Sequence, residues 1–117
     1  MTGLTTHILD LTHGVPASNV TIELYFYGEH EWQFLTSAVT NSNGRLDEPL
    51  LSEEDTKIGT YELVFHIGDY FRSKALELPE LPFLDKVPVR FNIADTTAHY
   101  HVPLLVSPWG YQVYRGS

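Results

Sequence analysis

Six histidines, His7, His13, His30, His66, His99 and His101, are the side chains of this 117-residue chain suited to moving protons near neutral pH. His99 and His101 stand at i and i+2, a spacing at which two imidazoles can chelate a metal. No third ligand stands at a telling spacing, so neither a metal nor another cofactor is expected. His13 and His30 fall in turn-forming stretches and read as solvated. His7 is polar within a mostly apolar stretch, and its plain reading is a surface histidine. Arg45 follows Asn43-Gly44 in a turn and reads as solvated too. The closing Tyr114-Arg115-Gly116-Ser117 would ordinarily fray. Cysteine is absent, which excludes a disulfide framework, a thiolate metal site and a cysteine nucleophile.

The elements that must hold these residues are strands. Alternation of apolar and polar residues with period two marks strands with one buried face. It runs through Val20, Ile22, Leu24 and Phe26, then through Trp32, Phe34, Thr36 and Ala38 after a Gly28–Glu31 hairpin turn. Further inward sets are Tyr61, Leu63, Phe65 and Ile67, then Val87, Val89, Phe91 and Ile93, then Tyr100, Val102, Leu104 and Val106. Tyr111 to Tyr114 makes a short last strand, and Leu4 to Leu11 is a candidate with poorer alternation. Only Ser52 to Lys57 and Asp69 to Lys74 read as helical, for one or two turns each. Glu77 to Pro88 holds three prolines and reads as an extended connection. Seven or eight short strands at this spacing predict an all-β, two-sheet antiparallel sandwich with one short helix, a single domain over residues 1–117.

If Tyr100, Val102, Leu104 and Val106 face the core, then His99, His101, Pro103 and Leu105 face away from it. That stripe is either an ordinary exposed face or a covered one, such as a subunit interface. Seven Lys and Arg against fifteen Asp and Glu give a net charge of −8, which argues against nucleic acid as partner. No apolar run approaches the roughly 20 residues that cross a bilayer, so no membrane partner is expected. The N-terminal residues lack the pattern of a secretion signal, and the C-terminus lacks Ser-Lys-Leu. A cytoplasmic location is the expectation, with periplasm and peroxisome left open. Asn19-Val20-Thr21 fits a glycosylation acceptor and, without a secretion signal, reads as chance.

Thr6-His7-Ile8-Leu9-Asp10, followed by Gly14, Pro16 and Ala17, resembles the opening motif of the transthyretin-like family. His99-Tyr100-His101-Val102-Pro103-Leu104-Leu105, then Ser107-Pro108, resembles its C-terminal motif. The closing Tyr114-Arg115-Gly116-Ser117 resembles the tetrapeptide that separates the family's 5-hydroxyisourate hydrolases from its thyroid-hormone carriers. The likeness spans essentially the whole chain. It departs at Gln112-Val113, where the family's enzymes usually have Ser-Thr, and at Asn43, where Asp is common before Gly-Arg.

The resemblance implies a β-sandwich that dimerises edge to edge, with two dimers forming a homotetramer around a central channel. It implies His7, Arg45 and His101 as catalytic residues, with Tyr114, Arg115 and Ser117 joining His7 and Arg45 in holding substrate at the dimer–dimer interface. The implied reaction opens the six-membered ring of 5-hydroxyisourate, an intermediate of urate breakdown, to give 2-oxo-4-hydroxy-4-carboxy-5-ureidoimidazoline. With no cysteine and no evident metal cluster, water is the expected nucleophile, and a histidine can take its proton and return it to the leaving nitrogen. The residues leave open whether His7 or His101 does so. Arg45 would stabilise the developing oxyanion, and Arg115 would do the same or hold the ring. Ser117 lacks the elbow motif of a serine nucleophile. The rival implied by the same likeness is a carrier of a small hydrophobic ligand, which would want an apolar channel rather than one lined by His7, His101 and Arg115.

Overall fold

The computed structural model describes residues 3–74 and 76–116. Its elements follow in the order β1 (Gly3–Asp10), β2 (Val15–Pro16), β3 (Thr21–Gly28), β4 (Glu31–Val39), β5 (Gly59–His66), α1 (Ile67–Arg72), β6 (Lys86–Ile93), β7 (His99–Ser107) and β8 (Gly110–Val113). One four-stranded sheet has the order β2-β1-β7-β8 and the other β4-β3-β5-β6. Every pair is antiparallel except β1 and β7, which run parallel from Gly3↔His99 to Asp10↔Val106. The expectation of a purely antiparallel sandwich is corrected at that one ladder. First and seventh strands lie side by side with the second sheet between them in sequence, and such a crossover can return a strand in the same direction.

Period-two burial explains the layers. Leu4 and Ile8 of β1, Ile22 and Leu24 of β3, Leu63 and Phe65 of β5, and Leu104 and Val106 of β7 are all fully buried in one shared core. Each strand therefore spends one face on the other sheet and presents its alternate residues outward. Pro88 sits in β6, an edge strand, where a missing N–H interrupts no inner ladder.

Two local expectations fail for identifiable reasons. Trp32 and Phe34 do not point inward; they are exposed beside Tyr27 and Tyr25, their cross-strand partners. The register slips between Leu24 and Tyr25, leaving Leu35 as an extra residue opposite them. Past that bulge every β4 side chain changes face, while Thr36 and Ala38 before it stay with the inward partners Leu24 and Ile22. Ser52 to Lys57 is not a helix. Ser52 and Asp55 do exchange a cap, with the Asp55 N–H donating to Ser52 Oγ at 3.2 Å, but on a turn that stops there. The other helical stretch forms two residues early, as α1.

Asp10 is buried at the end of β1 and holds this corner together. Its carboxylate accepts hydrogen bonds from the Tyr70 hydroxyl at 2.7 Å and the Thr12 N–H at 2.9 Å, and faces His13 Nδ1 at 2.6 Å. His13 is thus tied to the turn rather than freely solvated. Burial alone would raise the Asp10 pKa, but the hydrogen bonds of Tyr70 and His13 together outweigh it and hold the carboxyl below its ordinary value. Asp10→Ala should cost about 2–3 kcal/mol at pH 7, because buried donors lose a charged acceptor. With the folded-state pKa depressed, that stabilisation is complete above the unfolded value of 3.8 and disappears as pH falls through the folded one. Urea denaturation of both proteins should show the difference narrowing at acid pH; a gap that does not shrink there contradicts the assignment.

Candidate active site

The parallel ladder between β1 and β7 brings the outward residues of both strands together. Thr5 lies opposite His101 and His7 opposite Pro103. Leu4, Thr6 and Ile8 go to the core, so Thr5 and His7 share the outer face with His99 and His101. The two β7 imidazoles are near-parallel, at 13° with centroids 6.4 Å apart. Thr5 Oγ1 lies between them, 2.8 Å from His101 Nδ1 and 3.0 Å from His99 Nε2. The sequence alone does not single out Thr5, because its role depends on the pairing of strands almost a hundred residues apart. In the sequence His99 reads only as a chelating partner of His101 and as part of an outward stripe, with no part in the reaction. Among the described residues, no group of three ligand-type side chains forms around the pair.

A turn supplies Arg45. Asn41 Oδ1 accepts from the N–H groups of Asn43 and Arg45, and Gly44 takes a φ of +73°, open to glycine at little cost. The Ile8 N–H donates to the Gly44 carbonyl at 2.9 Å, so the turn is pinned to β1 and Arg45 pairs with His7. The C-terminal segment is pinned likewise. Gly116 N–H donates to the His101 carbonyl at 2.7 Å, and a Cβ at Gly116 would lie 2.7 Å from the His101 ring. The tail therefore needs glycine there and does not fray. Arg115 crosses the Tyr100 ring with its guanidinium carbon 4.1 Å from the centroid, and makes a long 3.4 Å hydrogen bond to the His99 carbonyl. Ser117 lies outside the described residues.

Thr5, Arg45, His99, His101, Tyr114, Arg115 and Gly116 line a cavity of about 510 Å³ on this face. The other two arginines, Arg72 and Arg90, are paired with carboxylates. Among the described residues no carboxylate lies within salt-bridge distance of Arg45 or Arg115. Two free guanidinium groups on an acidic chain suit an anionic or carbonyl-rich ligand. Burial and the neighbouring Arg45 charge lower the His7 pKa, against a hydrogen bond to the Asn43 backbone. Burial, then Arg45, His7 and His99, lower that of His101. Both imidazoles are consequently neutral at physiological pH and able to accept or orient protons.

Of the residues singled out in the sequence, His7, Arg45, His101, Tyr114 and Arg115 converge on this one face. His66 goes instead to Glu23, at 2.8 Å on the outer face of the other sheet, and His30 to the β3–β4 turn. The fold and its residues match a known family pattern, described as the HIUase/transthyretin family, over residues 4–116. A 5-hydroxyisourate hydrolase of Pseudomonas aeruginosa is 49% identical over 97% of this chain and 90% of its own length. 5-Hydroxyisourate hydrolase 2 of Rhizobium meliloti is 53% identical over 97% and 95%. The solved structure of the Klebsiella pneumoniae 5-hydroxyisourate hydrolase superimposes with a TM-score of 0.81 at 33% identity, covering the whole of both chains. With its sandwich, its outward histidines and its pinned C-terminal segment, this chain belongs to the HIUase/transthyretin family.

Proposed function

We infer that the chain is a 5-hydroxyisourate hydrolase of purine breakdown, opening a cyclic amide to give 2-oxo-4-hydroxy-4-carboxy-5-ureidoimidazoline. The observation that carries this reading is the convergence of Arg45, His101, Tyr114 and Arg115 on one cavity, with His7 paired to Arg45 beside it, in a chain about half identical to hydrolases of that name. A carrier of an apolar ligand would line the same face with small apolar side chains; here it is lined by two imidazoles and two guanidinium groups.

In the proposed reaction, water attacks the scissile carbonyl carbon and an imidazole of the His7–His101 pair takes its proton. The carbonyl electrons move onto oxygen, and the Arg45 guanidinium faces the resulting charge. Collapse of the tetrahedral species re-forms the carbonyl and breaks the carbon–nitrogen bond. The imidazolium then returns its proton to the departing nitrogen, leaving a carboxylic acid that releases its proton to solvent as the carboxylate. Arg115, held flat by the Tyr100 ring, offers a fork of donors to the ureide carbonyls. Tyr114 and Ser117 complete the proposed substrate contacts.

The proposal extends to assembly. Tyr114 is 56% exposed and Arg45 and Arg115 are exposed as well, so one protomer leaves its polar cavity open to water. Oxyanion stabilisation is strongest where water is excluded. Another copy closing this face would exclude that water, and the proposed assembly is a homotetramer, a dimer of dimers with sites between the dimers.

Freshly generated 5-hydroxyisourate, followed by its ultraviolet absorbance, should decay much faster with the protein than without it. His7→Ala and His101→Ala should each lower turnover by about a hundredfold or more with the fold intact, the usual scale for a lost acid–base group. Near-wild-type turnover in either variant removes that residue from the site. Because the pKa values of both imidazoles are lowered, kcat/KM should fall on the acid side around a midpoint below 6.5. An acid limb centred above that value is the contrary result. Light scattering at micromolar concentration should return the mass of a tetramer, and a fully active monomer would sink the shared site.

A further inference from the structure

We propose that Thr5 and His99 act as positioning residues that fix the His101 imidazole with its proton on Nε2, making His101 a hydrogen-bond donor to the substrate and leaving His7 as the base. The inference rests on the hydrolytic reading above and divides the roles of the two imidazoles within it.

Proton counting at Thr5 leads there. A hydroxyl has one hydrogen and can donate once, yet Thr5 Oγ1 lies within hydrogen-bond distance of two ring nitrogens, at 2.8 Å and 3.0 Å. At least one ring must therefore donate to it. The second nitrogen of His99, Nδ1, is buried and has no partner among the described residues. Buried N–H groups without an acceptor are rarer than under-used acceptors, so the bare nitrogen of His99 is Nδ1 and its hydrogen sits on Nε2. His99 then donates to Thr5 Oγ1. The Thr5 hydrogen is left to point at His101 Nδ1, which accepts it and must be bare. A neutral His101 consequently carries its hydrogen on Nε2, the nitrogen on the far side of the ring from Thr5.

The alternatives serve the three groups less well. If His101 Nδ1–H donated to Thr5 and Thr5 to His99, the His99 hydrogen would sit on the partnerless Nδ1. If both rings donated to Thr5, its hydroxyl hydrogen would have to turn away from both imidazoles toward the open cavity, and the direct Thr5 donation to a ring nitrogen at hydrogen-bond distance would be lost. Burial together with the charges of Arg45, His7 and His99 outweighs the Thr5 backbone, which alone pulls the His101 pKa upward, and favours the neutral His101 that this chain of donors requires.

A neutral Nε2–H cannot take a proton from water; it can donate a hydrogen bond to the oxygen on which charge develops. His101 thus joins Arg45 at the carbonyl oxygen. His7, steadied by the Asn43 backbone, takes the water proton and passes it to the leaving nitrogen.

Nitrogen NMR of the ring tautomers in the assembled protein tests this directly. The His101 signal, assigned against His101→Asn, should show a bare Nδ1 and a protonated Nε2 in the wild type at neutral pH. Thr5→Val keeps the shape without the hydroxyl and should abolish that single tautomer. It should also lower kcat about tenfold, the scale of one lost hydrogen bond at the transition state, with KM within about twofold. Thr5→Ser should restore both, and His99→Gln, whose amide can donate to Thr5, should lie nearer the wild type than His99→Leu. A wild-type His101 protonated on Nδ1 overturns the proposal, as does Thr5→Val with wild-type kcat and tautomer. Absence of hydrolysis in the wild type would instead overturn the functional reading, and the tautomer measurement stands apart from it.

Discussion

The parallel ladder between β1 and β7 is the constraint on which the site depends. It is the one parallel pairing in the sandwich, and it sets Thr5 opposite His101 and His7 one pleat further on. Because side chains alternate with period two, a slip of one residue in β1 would send His7 into the core and bring Leu4 out, and a slip in β7 would do the same to His101 and Tyr100. The core itself resists that slip: Leu4, Ile8, Leu104 and Val106 are all fully or almost fully buried on the inner face of these two strands. Apolar burial thereby fixes the register, and the register fixes the distance between Thr5, His7 and His101 on the outer face. Geometry of this kind costs the site nothing in flexibility, since strands deliver side chains more firmly than loops do.

The groups that do come from loops are tied back to this ladder by backbone bonds. Gly44 binds Ile8 and Gly116 binds His101, each through an N–H to carbonyl bond just below 3 Å. Arg45 and Arg115 each follow or precede one of these glycines, so both guanidinium groups ride on anchored backbone. Neither has a carboxylate partner among the described residues, although the chain carries fifteen Asp and Glu against seven Lys and Arg. Repulsion between two cations over a common cavity is unfavourable until an electron-rich ligand arrives between them. Burial, and after it the Arg45 charge, lower the pKa values of His7 and His101 and so keep a base available at neutral pH.

Much of this was readable from residue order. The inward sets of β3, β5, β6 and β7 follow from alternation, and the outward placement of His99 and His101 follows with them. The convergence of His7, Arg45 and the C-terminal segment was not readable from pattern alone, because it depends on contacts between residues far apart in the chain; the motif likeness supplied it. Trp32 and Phe34 were misplaced because a bulge inserts one residue without altering local composition, and alternation cannot register it. Thr5 escaped notice for a different reason. A threonine in a strand is the default choice for a pleated surface, and only its two imidazole neighbours distinguish it.

The exposed state of the cavity follows from the size of the domain. A sandwich of this length uses its interior for the apolar core, where Tyr61, Phe65 and Phe71 fill the space between the sheets. No room remains there for a solvent-shielded polar pocket, and burying two arginines in it would carry a desolvation cost of several kcal/mol per charge. An outer sheet face avoids that cost, since the guanidinium groups there are exposed and remain hydrated in the single protomer. Catalysis on the outside of a small β-sandwich is thus coherent when water exclusion is delegated to assembly. Under the proposed reading, the polar stripe of Thr5, His7, His99 and His101 would serve twice on one surface: reaction chemistry toward the substrate, and a surface for a second copy to close.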